Sequence, residues 1–185
     1  MDVMQGDKRY TYADYYKWDD GVRYELIDGV AYMMSPAPLR AHQEIIGELY
    51  MQLRQFLKGK TCKVYLSPFD VRLNADENDD IVVQPDLVVV CDISKLDKYG
   101  CKGAPDMAIE VASPSSARMD RLLKMQKYLK YGVREYWIVD PDSKTVQAFI
   151  LENGNYIVNA YADTDEAPVR ILDGCVINLA DVFAE

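Results

Sequence analysis

The chain of 185 residues has one histidine, only four cysteines, and fewer basic than acidic side chains, 21 Lys and Arg against 30 Asp and Glu. The resulting net charge of −9 argues against a strong non-specific hold on nucleic acid, because that affinity comes from neutralising phosphates with Lys and Arg. Cys62, Cys91, Cys101 and Cys175 show no CxxC spacing, so neither a zinc site nor a dithiol redox motif is expected. With no export signal in view, the four read as reduced thiols, mostly in the core. Gly-rich phosphate loops of the GxGxxG or P-loop kind are missing, which disfavours nucleotide cofactors. No segment approaches the roughly 18 uninterrupted apolar residues that span a bilayer. MDVMQGDKRY at the start lacks a basic stretch followed by an apolar one. A soluble, cytoplasmic protein with no membrane partner is the expectation. Internal repeats and low-complexity segments are also lacking.

What is present suits one domain over 1–185, since 49% of the residues are hydrophobic, enough for a sizeable core. Residues 10–20 read as a short aromatic helix capped at Thr11. Asp28-Gly29 between RYELI and VAYMM is a two-residue hairpin signal. From Ala41 to Leu57, Ile45, Ile46, Leu49, Leu53, Phe56 and Leu57 share one helical face. Strands follow at about 63–73 and 82–91, joined by the acidic DENDD turn. A polar loop then leads to a strand at 107–112. A helix from about Ser116 to Tyr131, stopped by Gly132, precedes a buried strand at 134–140. Two further strands, TVQAFIL and NYIVNAY, and a short C-terminal segment complete the chain. The fold class expected is α/β with a mixed sheet flanked by helices, its core at about 22–141 and an extension at 142–185. Arg118, Arg121, Lys124, Lys127, Lys130 and Arg134 read as a solvated helix face.

Two acidic strands stand out, IVVQPDLVVV at 81–90 and MAIEVASPSS at 107–116. Asp86 and Glu110 each sit in a run so apolar that it reads as a buried strand, where a charge needs a partner. Side by side, two such strands hold two carboxylates close enough for a divalent ion. Asp106, in a second Pro-Asp pair, lies four residues from Glu110, about 13 Å of rise along one strand, too far to share an ion with it. Glu44 and Glu48 fall on the solvent face of their helix, whereas His42 points inward from its first turn.

In combination, YELIDG at 24–29, MSP at 34–36, His42, QPDLVVV at 84–90, IEVASPSS at 109–116 and GVREYWIVDP at 132–141 resemble the PD-(D/E)XK nuclease superfamily. Within it the chain is similar to the Uma-type family of restriction-endonuclease-like proteins. The resemblance covers about 10–150. It implies an αβββαβ core, with N-terminal and C-terminal hairpins added, and a Mg²⁺-dependent or Mn²⁺-dependent endonuclease acting on DNA. Asp86 and Glu110 would then be the metal ligands, with the Val111 carbonyl as a further donor. Ala112 stands where the superfamily usually places its lysine, and the resemblance transfers that role to Lys124, four residues after Asp120 and four before Tyr128. On a wheel of 100° per residue Lys124 borders the stripe of Leu122, Met125 and Leu129, a position suited to snorkelling. Lys127 lies farther from the stripe. Glu25 or His42 would be the auxiliary group, and Asp120 a companion of Lys124. The rival readings are a catalytically silent nuclease-fold binding protein and a structural assembly protein. A homodimer is compatible with each.

Overall fold

The computed structural model describes residues 8–34, 39–113 and 119–184, without the side chains of 119–121. Thr11 caps a first helix, α1 (Tyr12–Tyr15), in a reciprocal capping box with Asp14. Strands β1 (Tyr24–Ile27) and β2 (Val30–Met33) pair antiparallel around Asp28 and Gly29, both at positive φ. That is the conformation an Asp-Gly hairpin turn requires. The amphipathic stretch forms α2 (Arg40–Phe56) and buries Ile45, Ile46, Leu49 and Leu53.

The two strands expected at 63–73 and 82–91 are each broken in the middle. The first becomes β3 (Lys63–Leu66) and β4 (Asp70–Arg72), the second β5 (Val82–Val83) and β6 (Leu87–Val90). Pro68 and Pro85 occupy the breaks, where their missing N–H groups remove no ladder bond. Each break carries the chain from one sheet to another. The loop expected at 92–105 contains a 3₁₀ turn at Ile93–Lys95 and a strand, β7 (Gly100–Lys102), parallel to β4. Then come β8 (Met107–Val111), a π-helical turn at Met119–Lys124 continuing into α3 (Met125–Tyr131), and β9 (Glu135–Asp140), parallel to β8. Gly132 at φ 81 ends α3 in the left-handed conformation. A long hairpin of β10 (Thr145–Glu152) and β11 (Asn155–Ala162) follows, then β12 (Glu166–Pro168), β13 (Val176–Asn178) and α4 (Leu179–Val182).

The fold class is mixed α and β, but one mixed sheet is replaced by two. Strands run β2-β1-β5-β4-β7 in the first and β11-β10-β9-β8-β6-β3 in the second, with β12-β13 a separate pair. The second sheet is covered on both faces. Leu87, Val89, Ile109, Trp137 and Val139 pack with α2 and the C-terminal segment. Val88, Val90, Ala108, Tyr136 and Ile138 face the first sheet and Tyr128 of α3. Period-two alternation therefore turns Glu110, two residues from Ala108, toward α3.

Cys62 and Cys91 correct the expectation of four reduced thiols. They flank the paired ends Lys63 and Val90 of β3 and β6 and form a disulfide, while Cys101 and Cys175 are free and buried. A second buried acid has a purely structural place: Glu135 accepts from Trp137 Nε1 at 2.7 Å and from the Ile171 N–H at 2.9 Å, and burial raises its pKa. Glu135→Ala strands one buried and one partly buried donor and is expected to cost about 2–4 kcal/mol in urea denaturation. A change under about 0.5 kcal/mol would show that neither bond matters to folding.

Candidate active site

Strands β6 and β8 pair antiparallel with Leu87 opposite Ile109, so continuing the register sets Asp86 opposite Glu110. Facing residues in such a pair have Cβ atoms about 4.5–5.5 Å apart. Asp86 is not in mid-strand as expected, but in the break between β5 and β6 with its side chain one-fifth exposed. The break frees this carboxylate from a sealed core. Its Oδ2 accepts the Val111 N–H at 2.8 Å and lies 3.4 Å from His42 Nε2 at the start of α2. His42 does point inward, with Asp86 beside it in the site.

Glu110 is buried, and so are Glu25 and Lys124. Lys124 Nζ stands 2.8 Å from Glu110 Oε1 and 2.8 Å from Glu25 Oε1. Tyr128 donates to Glu110 Oε1 at 3.0 Å, and the Gln84 N–H donates to Glu25 Oε1 at 2.7 Å. Burial, and then the Glu110 charge, hold the Tyr128 phenol well above its usual pKa, so it remains a proton donor. Glu25 Oε2 is buried with no hydrogen-bond partner among the described residues. Tyr128→Phe leaves Glu110 without one donor and is expected to cost about 1–3 kcal/mol of stability by denaturant titration; no measurable loss would contradict the bond.

Lys124 corrects the helical wheel. It does not snorkel from a boundary; it is 2% exposed, whereas Leu122, expected in the apolar stripe, is 50% exposed. The π-helical turn at Met119–Lys124 is the cause, since its i→i+5 bonding rotates side chains away from the 100° positions. The basic cluster is likewise not one solvated face. Lys127 pairs with Asp28 and Arg134 with Asp106. Asp106 also accepts the Cys91 N–H, at the end of β6 remote from Asp86. Glu44 pairs with exposed Arg40, and Glu48 accepts from Gln52 on the same helix. The side chain of Asp120 lies outside the described residues.

Tyr128 and Gln84 are the members of the site that residue types alone did not single out. Tyr128 lies one α-helical turn after Lys124, and Gln84 lies two residues before Asp86. Both spacings were visible, but nothing local said that a tyrosine and a backbone N–H would meet two different glutamates.

The donors suit a hard divalent cation. No group of three or more His, Cys, Asp or Glu side chains converges on one point among the described residues. Mg²⁺ does not require that, since it is usually held by one or two carboxylates, with waters and phosphate oxygens completing its shell. Facing carboxylates at Asp86 and Glu110, the first open to solvent, meet this need, and the orphaned Glu25 Oε2 adds an unused acceptor. Val111, whose N–H fixes Asp86, belongs to the strand that carries Glu110.

The family Uma2, described as "Putative restriction endonuclease", matches residues 12–180. A crystal structure from Anabaena variabilis, described as a "putative nuclease belonging to DUF820", superposes with a TM-score of 0.75 at 20% identity, covering 95% of this chain and 98% of that one. At that identity the likeness is one of fold. No curated protein matches the chain. No helix among the described residues is long and apolar enough to cross a membrane.

Proposed function

The chain belongs to the Uma2 restriction-endonuclease family, and from that premise we propose that it is a divalent-metal-dependent endonuclease that hydrolyses phosphodiester bonds in DNA. The observation that carries the reading is Asp86 bonded at 2.8 Å to the Val111 N–H, the residue next to Glu110, with Lys124 held against Glu110 at 2.8 Å. In this reading Asp86 and Glu110 hold Mg²⁺ or Mn²⁺, which supplies a Lewis acid to neutralise phosphate charge and to make water more acidic. The Val111 N–H and His42 orient Asp86. Tyr128 fixes Glu110 from the side of α3. The Lys124 ammonium offsets negative charge growing on the phosphoryl oxygens, as a fixed charge in a site largely shielded from water. Glu25 positions that ammonium, and its free Oε2 can accept a proton or a hydrogen bond from water.

Plasmid nicking tests the reading. The wild type is expected to convert supercoiled plasmid to open circles in Mg²⁺ or Mn²⁺ and to leave it intact in EDTA; equal conversion in both, or none in either, would sink it. A second reading has its own support in the Glu25–Lys124–Glu110 cluster, which can serve as a buried ionic brace in a nuclease fold without chemistry. Calorimetry separates the two, because the brace alone predicts no Mn²⁺ binding at millimolar concentration. The active reading predicts binding that Asp86→Ala removes.

A further inference from the structure

On the α1 side of the first sheet lies a pocket of about 360 Å³ between the segment following α1, the start of β1 and the turn from β3 to β4. Its floor is polar and already organised. Buried Gln84 accepts from the Arg23 guanidinium through Oε1, and its Nε2 donates at 2.8 Å to both Tyr15 Oη and Asp70 Oδ1. Tyr12 donates to the other oxygen of Asp70. The mouth is aromatic. Tyr16 is 59% exposed and Tyr99 37%, their ring centroids 4.9 Å apart in an edge arrangement, with Trp18 also in the lining. Lys17 and Lys98 flank these rings in sequence, and Lys98 Nζ lies 4.7 Å from the Tyr99 centroid.

We propose that this pocket receives one unpaired nucleobase of the nucleic-acid strand engaged at Asp86 and Glu110, a proposal that rests on the nuclease reading for the strand's path but not for the pocket's chemistry. Three features select a base. Exposed aromatic faces provide a surface on which any base can stack. Arg23 offers donors and Asp70 acceptors, so the floor carries one charge of each sign. It suits the mixed donor and acceptor edge of a base better than a phosphate, which accepts hydrogen bonds but donates none at neutral pH. The volume lies within the range of small-ligand pockets, and a base held in the stack of a duplex cannot enter a pocket, so the base must already be single-stranded or be extruded.

Gln84 ties the pocket to the chemistry. Its side chain forms the floor, its N–H holds Glu25, and Asp86 follows two residues later, about 7 Å along an extended chain. The pocket floor and the acidic site thus share the chain from Gln84 to Asp86, and the proposal sets a base next to the phosphate at Asp86 in the aromatic mouth.

The test uses a short single-stranded oligodeoxynucleotide with one 2-aminopurine, in EDTA so that cleavage plays no part. The wild type is expected to bind it and quench the fluorescence by stacking. The double variant Tyr16→Ala/Tyr99→Ala should bind about 10-fold to 100-fold more weakly and lose the quenching. Tyr16→Phe/Tyr99→Phe should keep both, because the ring face is retained, and this pair controls for misfolding. Three results would each overturn the proposal: no quenching by the wild type, unchanged affinity in the double alanine variant, or displacement of the oligonucleotide by an equal concentration of deoxyadenosine monophosphate, which would make the pocket a free-nucleotide site. Plasmid nicking run in parallel separates the two ideas, since nicking without quenching removes the pocket alone and quenching without nicking removes the nuclease alone.

Discussion

Lys124→Met is expected to lower folding stability by about 3–5 kcal/mol, the cost of leaving a buried charge without its partner. Here one ammonium serves two carboxylates, each 2.8 Å away, and Glu25 and Glu110 are as buried as the lysine itself. Removing it leaves two acids facing a methionine, with the Tyr128 hydroxyl still donating to Glu110 and the Gln84 N–H to Glu25. Neutralising the two acids as well is a different matter, because most of the cost of a broken buried pair is the uncompensated charge left behind. Glu25→Gln/Glu110→Gln/Lys124→Met should therefore regain most of the loss. Urea denaturation of both proteins measures this. A loss below about 1 kcal/mol in the single variant, within the range of an exposed pair, would mean that the cluster is solvated in solution.

Asp86→Asn should leave stability nearly unchanged and reduce metal-dependent nicking by on the order of a hundredfold to a thousandfold, the scale seen when one preorganised electrostatic group is removed from a site. The contrast with Lys124 is the point. Asp86 is partly exposed and sits in a strand break, so its charge is already solvated, and an asparagine oxygen can still accept the Val111 N–H. What is lost, in the proposed reading, is one of the two carboxylates that would hold the metal ion. Initial rates of supercoil relaxation in Mn²⁺, beside thermal unfolding of the same preparation, give both readouts. Full activity in Asp86→Asn would remove Asp86 from the chemistry, and lost activity with a collapsed melting temperature would make it structural.

Local patterning carried much of the fold. The Asp-Gly turn, the inward face of α2, the glycine stop after α3 and the apolar strands around Asp86 and Glu110 all follow from contacts within a few residues. Their errors are instructive for the same reason. The strands expected at 63–73 and 82–91 have continuous β character, and only the packing of two sheets against each other breaks them near Pro68 and Pro85. The wheel that set Lys124 on a boundary assumed α-helical spacing, which the π-helical turn does not keep. The disulfide of Cys62 with Cys91 depends on strands brought together from 29 residues apart.

By itself the sequence determined which residues bear charge inside apolar strands, because burying Asp86 or Glu110 has an unfavourable energy whatever the fold, and it determined the family through strings spread along the chain. Tertiary structure alone decided how those charges are balanced. Glu25, Glu110, Lys124 and Tyr128 come from a hairpin strand, a central strand and a helix, and their meeting depends on long-range packing that no local spacing encodes. It also decided that Asp86 meets solvent while Glu110 does not, because the crossing between sheets opens the chain at one carboxylate and closes it over the other.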